Sequence, residues 1–244
     1  MSQPAHKTDD LALRRIRRGS LADDVARHLR DLILTGGVRP GERIDQGAVS
    51  SALNVSRSPI REAVVVLAQE GLVTLSPNRG AFVADITPTD IAEHYEVFGA
   101  LSGRTAAVAA VELSDADLAE LVEIHSRFST GDEHEMSTAN HDFHRVINSV
   151  ASRRTRWLLS LLERSVPARY YEFSGRFYDD AIADHQAILD ALVARDPDAA
   201  RGAMEHHLCE GGRAATEALT VQGFWKDAAA MKDNAALTQV SDDR

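Results

Sequence analysis

Residues 40–83 read PGERIDQGAVSSALNVSRSPIREAVVVLAQEGLVTLSPNRGAFV, a pattern of two short helices and a hairpin. Asp45 can cap a short helix whose apolar face is Ala48, Val49, Ala52 and Leu53. Asn54-Val55 is a tight connection. Ser56 then caps a helix running to about residue 70, with Pro59 tolerated in its first turn. Gly71 ends it. Residues 72–75 and 81–83 are short β-like segments around the turn Ser76-Pro77-Asn78-Arg79-Gly80. Upstream, Leu21, Val25, Leu29, Leu32 and Ile33 repeat at helical spacing, with Ser20 as N-cap and Asp23 three residues on. Thr35-Gly36-Gly37 stops that helix, and Arg39-Pro40-Gly41 turns the chain. Three helices and a two-stranded hairpin predict a winged helix-turn-helix over residues 14–86.

Residues 1–13 are polar and expected to be disordered. Beyond Ile86 no segment reads as a strand. Thr87-Pro88-Thr89-Asp90 starts a helix, Ser114 caps another, and Asp196-Pro197 starts the last. Six helices are expected, at roughly 88–111, 115–129, 134–151, 153–173, 176–195 and 197–222. Short loops imply an antiparallel bundle. The fold class is therefore mainly α: a winged helix-turn-helix followed by an all-helical domain over 87–223. Residues 224–244 are a polar, alanine-rich tail without periodicity.

The 244 residues carry a formal net charge of -10, which by itself argues against nucleic acid. The distribution reverses that argument. Between Leu11 and Val83 there are about 11 Arg or Lys against about 7 Asp or Glu, and the acid excess lies beyond. A mildly basic head on an acidic body fits a DNA-reading domain joined to one that does not touch DNA. The single Cys209 excludes an internal disulfide and fits a reducing cytosol. No signal-like or membrane-spanning apolar run is present, so the expected location is the cytoplasm.

The N-terminal end of a recognition helix enters the major groove. Here that end carries Arg57 and Arg61, four residues apart on one face, whose guanidinium forks suit guanine edges or phosphates. The hydroxyls of Ser56 and Ser58 suit phosphate oxygens. At the wing tip, Gly80 permits close approach and Arg79 can enter a minor groove. An isolated pair of helical arginines is usually just a solvated face. The preceding short helix and the basic hairpin are what turn this pair toward DNA.

In the helical half, Asn140 and His144 are one turn apart on the same face. His185 lies on the fifth helix of that half, and His206-His207 on the sixth. Adjacent helical residues point about 100° apart, so only one of that pair faces the interior. Ala200 and Ala203 lie on the face of His207 and favour it. Imidazoles converging from three helices can bind a divalent metal; sequence-distant histidines can equally be ordinary core or surface residues.

The first half resembles the GntR family of bacterial regulators. The matching residues are Pro40-Gly41-Glu42-Arg43, the run from Val55 to Ala63, Glu70-Gly71-Leu72-Val73, and the run from Asn78 to Val83. The resemblance implies that Arg43, Arg57 and Arg61 contact operator DNA and that the wing tip touches the minor groove. Arg43 rests on the resemblance alone. The second half is similar to the FCD sensor domain, through Asn140-His141-Asp142-Phe143-His144, Ala151-Ser152, Asp184-His185-Gln186-Ala187-Ile188 and Met204-Glu205-His206-His207-Leu208. Six helices rather than seven match its VanR-like branch. The resemblance implies that Asn140, His144, His185 and His207 hold zinc or a similar cation such as nickel or manganese. Two positions depart from many relatives: Phe98 stands where an effector-holding Arg is common, and Ser102 where a Glu is common.

Together these readings imply a homodimeric transcription regulator that binds double-stranded operator DNA. It is expected to repress a catabolic operon and to be modulated by a small carboxylate effector near the metal. A metal-free regulator with structural histidines is one rival. A metal-dependent hydrolase is the other; Asp142 and Glu205 flank the histidines, but the chain has no HExxH, GxSxG or P-loop motif, and an enzyme is not expected.

Overall fold

A computed structural model describes residues 21–165 and 177–225. The expected Ser20 cap, the arginines at 14, 15, 17 and 18, and the expected disorder at 1–13 lie outside these residues. The head comprises α1 (Leu21–Leu34), α2 (Gln46–Leu53), α3 (Arg57–Gln69), β1 (Val73–Ser76) and β2 (Gly80–Val83). Val25, Leu29 and Ile33 of the expected α1 face are buried together with Ala22, Ala26 and Leu34. Leu21 is exposed and Leu32 only half-buried, so the contact face is rotated toward the alanines.

Asp45 accepts from the N–H groups of Gly47 at 2.9 Å and Ala48 at 3.0 Å, which starts α2. Asn54 ends it in the left-handed conformation (φ 51°), which turns the chain into α3. The expected inward face of α2 is only partly realised. Val49 and Leu53 pack against the head core, while Ala48 and Ala52 are exposed. An eight-residue helix lying mainly against α3 has one covered side. In α3 the buried residues are Ile60, Ala63, Val64 and Leu67, and Ala68 is half-buried.

The wing is an antiparallel pair with Val73 opposite Val83 and Ser76 opposite Gly80. Arg79 N–H donates to the Ser76 carbonyl at 3.1 Å, with Asn78 at φ 61° and Gly80 at φ 107°. Residues 41–44 extend this hairpin in a way the periodicity does not show. Ile44 N–H donates to the Ala81 carbonyl, and Val83 N–H to the Glu42 carbonyl, each at 2.9 Å. Arg43 thereby becomes a bridge partner of Phe82. At the end of α3, Glu70 accepts three hydrogen bonds from the Arg30 guanidinium of α1 (2.7–2.9 Å), both side chains nearly buried.

The helical domain comprises α4 (Pro88–Glu112), α5 (Asp115–Thr130), α6 (Glu133–Asn148), α7 (Arg153–Arg164), α8 (Phe177–Val193) and α9 (Pro197–Val221). Thr87 with Asp90, Ser114 with Asp117 and Asp132 with Glu135 form reciprocal capping boxes. Asp196 caps α9 just before Pro197. The fourth expected helix is described as far as Arg164; its expected continuation to 173 lies outside the described residues. The two 25-residue helices α4 and α9 form the axis of the domain. Their close crossing uses Gly99 and Gly103 against Glu205, and Gly212 against Tyr95.

The boundary expected at residue 224 falls too early. Gly223 (φ 66°) reverses the chain, and Phe224, 1% exposed, joins the helical-domain core. Its ring also lies 3.7 Å from where a Cβ on Gly36 of the head would stand. Trp225 packs at the core edge and donates from Nε1 to Thr220 Oγ1 at 2.7 Å. Ile86 packs against both cores, so linker and tail both join head to helical domain.

Candidate DNA-reading face and histidine cluster

One face of the head is fixed from behind by burial. Ile60, Ala63, Val64 and Leu67 hold α3 against the core, which leaves Arg57, Ser58 and Arg61 exposed at its N-terminal end. Ser56 occupies the N-cap position with extended backbone, but its side chain makes no capping bond. The first turn of α3 contains no acidic residue to fill its partial positive charge. Ser58 Oγ donates to Glu62 Oε1 at 3.3 Å.

Arg43 joins this helix end to the wing. A Cβ on Gly80 would meet Arg43 Nε at 3.3 Å, so the guanidinium lies along the glycine backbone at the wing tip. The Asp45 carboxyl is held below its ordinary range, first by the Ala48 and Gly47 N–H groups and then by the charges of Arg43 and Arg57. Both arginines thus act on the same carboxylate at the start of α2. Arg79 is exposed, its guanidinium carbon 5.8 Å from the Phe82 ring centroid. Spacing along the chain gave no reason to choose Arg43; the edge pairing of residues 41–44 with β2 is what brings it here.

The second cluster lies inside the helical domain. His144 on α6, His185 on α8 and His207 on α9 each offer a ring nitrogen, and the three lie within 4.8 Å of one another. Ring centroids are 5.4 Å apart for His144 and His185, 5.3 Å for His144 and His207, and 4.7 Å for His185 and His207. The helix faces explain the convergence. His185 sits in the buried stripe Ala181, Ile188, Leu189 and Leu192 of α8, and His207 between Met204 and Leu208 on α9. His206 is exposed, because one residue turns the direction by about 100°. Asn140 is half-buried one turn before His144.

Burial defines the electrostatics. His185 is fully buried between Phe128 (4.5 Å) and Phe143 (4.6 Å), and neither of its ring nitrogens has a hydrogen-bond partner. Loss of hydration, then the neighbouring His207, His144 and His125, push its pKa well below the ordinary value. His144 is lowered to about 3 by loss of hydration, then by His207 and His141. Both are therefore neutral imidazoles at pH 7, the form that offers a lone pair. Asp184 Oδ2 is 3.4 Å from His207 Nδ1.

Phe128, Phe143 and Asp184 complete the surroundings and were not singled out by the sequence pattern. The signal for His185 was present, as a polar residue in an apolar helical stripe; Phe128 has no comparable mark. His141 lies outside the cluster and faces Glu163 at 3.2 Å. Phe98 and Ser102, at the two positions of departure, are both buried.

Residues 21–83 match the family described as bacterial regulatory proteins, gntR family, and residues 93–209 match the FCD domain. The chain belongs to the GntR family of bacterial regulators and carries an FCD domain. An HTH-type transcriptional regulator of Mycobacterium tuberculosis is 30% identical over 183 residues, spanning 74% of this chain and 75% of the relative. The HTH-type transcriptional repressor RspR of Escherichia coli K12 is 28% identical over 193 residues, 76% of this chain and 85% of that protein. Among solved structures, a GntR transcriptional regulator from Rhodococcus sp. RHA1 is similar with a TM-score of 0.59 and 27% identity, over 81% of this chain and 98% of the other. E. coli McbR/YncC shares the fold, with a TM-score of 0.61 at 23% identity over 79% and 95% of the two chains. This GntR-family chain is thus a DNA-binding transcription regulator and not an enzyme. No helix among the described residues is long and apolar enough to cross a membrane.

Proposed function

We propose that this regulator represses a catabolic operon as a homodimer and is modulated by a small carboxylate effector. The effector binds beside a divalent cation in the helical domain. The carrying observation is His185: a fully buried imidazole with two unpartnered nitrogens, facing two further histidines. A buried polar group without a partner is costly, and a bound cation removes that cost. His144, His185 and His207 are the nitrogen ligands, and Asn140 adds an amide oxygen from the turn before His144. This donor set suits zinc, with nickel or manganese as alternatives. A bound cation supplies a positive centre with open coordination positions for a carboxylate or water. Relatedness to RspR, described as a repressor, supports the sign of regulation.

On the head, Arg57 and Arg61 read base edges in the major groove, and Ser56 and Ser58 bind phosphate oxygens. Arg79 and Gly80 at the wing tip approach the minor groove, with Arg43 held between wing and α2. Two heads in a homodimer supply the paired half-sites that one small head needs for specificity. Effector binding shifts the population between head arrangements of different DNA affinity.

The test is fluorescence anisotropy with DNA from upstream of the gene, across a salt series, with and without chelator. Sequence-specific, salt-sensitive binding altered by chelator is the expected result. Binding that ignores both chelator and added zinc removes the metal from the mechanism. Loss of preference over random DNA, with failure of genome-wide selection, removes the operator-binding reading.

A further inference from the structure

Asp184 sits immediately before His185 on α8, yet its carboxylate faces α9. Oδ2 is 3.4 Å from Nδ1 of the buried His207, and Oδ1 is 3.8 Å from Nε2 of the exposed His206. The Asp184 side chain is itself largely buried, at 18% exposure. An imidazole whose Nδ1–H donates to a carboxylate is held in one tautomer, and its other nitrogen keeps the lone pair. His144 and His185 lack such a partner among the described residues; His185 has none on either nitrogen, and its orientation comes from the Phe128 and Phe143 rings. The three imidazoles are thus oriented by different means, and only His207 has a carboxylate behind it.

We propose that Asp184 is the positioning residue of the histidine cluster. It holds His207 as the Nδ1–H tautomer and aims Nε2 at His144 and His185. This rests on the metal-site reading above. The carboxylate also makes the His207 ring a stronger donor toward a cation. His206, exposed on the other oxygen, is a bystander; its loss leaves the Nδ1 contact in place.

Two measurements on the full chain test this separately. Zinc alone is titrated into metal-free wild type, Asp184→Ala, Asp184→Asn and His206→Ala. Asp184→Ala is expected to weaken zinc binding by roughly 10–100-fold. Asp184→Asn, which keeps an acceptor oxygen at the same place, recovers part of the loss, and His206→Ala binds like wild type. Long-range ¹H–¹⁵N spectra of the metal-free proteins then report the His207 tautomer. The wild type is expected to show one tautomer and Asp184→Ala a mixture. Zinc affinity of Asp184→Ala within twofold of wild type, or an unchanged His207 tautomer, overturns the proposal. Failure of the wild type to bind zinc, nickel or manganese overturns the metal reading instead, while the tautomer measurement still decides the role of Asp184.

Discussion

The imidazole of His185 lies 12° from coplanar with the ring of Phe143, centroids 4.6 Å apart, and His207 stands 4.7 Å away at 61°. One face of the ring is therefore packed as an aromatic core residue would be, while its nitrogens are left without partners. His185→Phe should keep the packing and remove the orphaned nitrogens. In chelated protein it is expected to raise stability by about 1 kcal/mol, read as a higher melting temperature, and to abolish metal binding. A melting temperature several degrees below wild type would mean that the nitrogens have a partner in the folded protein.

The same burial sets a pH dependence. The folded-state pKa of His144 is lowered to about 3, and that of His185 is lowered as well, from an ordinary value of 6.5. Below 6.5 the unfolded chain takes up protons that the folded chain refuses, so stability falls as pH falls. The stabilisation is complete above 6.5 and is lost progressively toward pH 3. Chemical denaturation of the chelated protein between pH 7.5 and 5 should show this decline, and His144→Ala with His185→Ala should flatten it. An equally steep decline in that double variant would place the titrating groups elsewhere.

On the head, Arg57→Ala and Arg61→Ala should each weaken operator binding by roughly 1–3 kcal/mol if they read base edges. Arg43→Ala should weaken binding more uniformly across sequences and lower the salt dependence if it contacts phosphate. Anisotropy titrations against operator and scrambled DNA distinguish these outcomes. Unchanged affinity would remove the residue concerned from the interface.

At the crossing of α4 and α9, a Cβ on Gly212 would lie 2.7 Å from both Cβ and Cγ of Tyr95. Neither atom is the free end of a flexible chain, so the helices must separate. Gly212→Ala should destabilise the protein by about 1–3 kcal/mol. Gly202 has open space at the same point, so Gly202→Ala, on the same helix, should be neutral or slightly stabilising. Equal melting temperatures for the two variants would contradict the close crossing.

Phe224→Ala should cost about 3–5 kcal/mol, because the ring is fully buried. Denaturant titration reads the loss, and stability unchanged from wild type would take the ring out of the core.

The local features of this chain were legible in its sequence. Asp45, Thr87, Ser114 and Asp196 announce helix starts because a short polar side chain can reach backbone N–H groups only from the cap position. Helical spacing put His207 rather than His206 on the inner face, and α3 exposes Arg57 and Arg61 because its other side is apolar. These are properties of a few neighbouring residues. What the sequence could not supply depends on residues distant in the chain. Arg43 reaches the wing tip because residues 41–44 pair with β2, a register no periodicity encodes. Phe224 joins the core because Gly223 turns it back, although the segment around it is polar. Phe128 and Phe143 pack on His185, which lies 57 and 42 positions further along the chain, and Asp184 faces His207, 23 positions on. Only the packing of α5, α6, α8 and α9 brings them within contact, because hydrophobic burial fixes which faces meet but leaves no mark on any one helix of what it will meet.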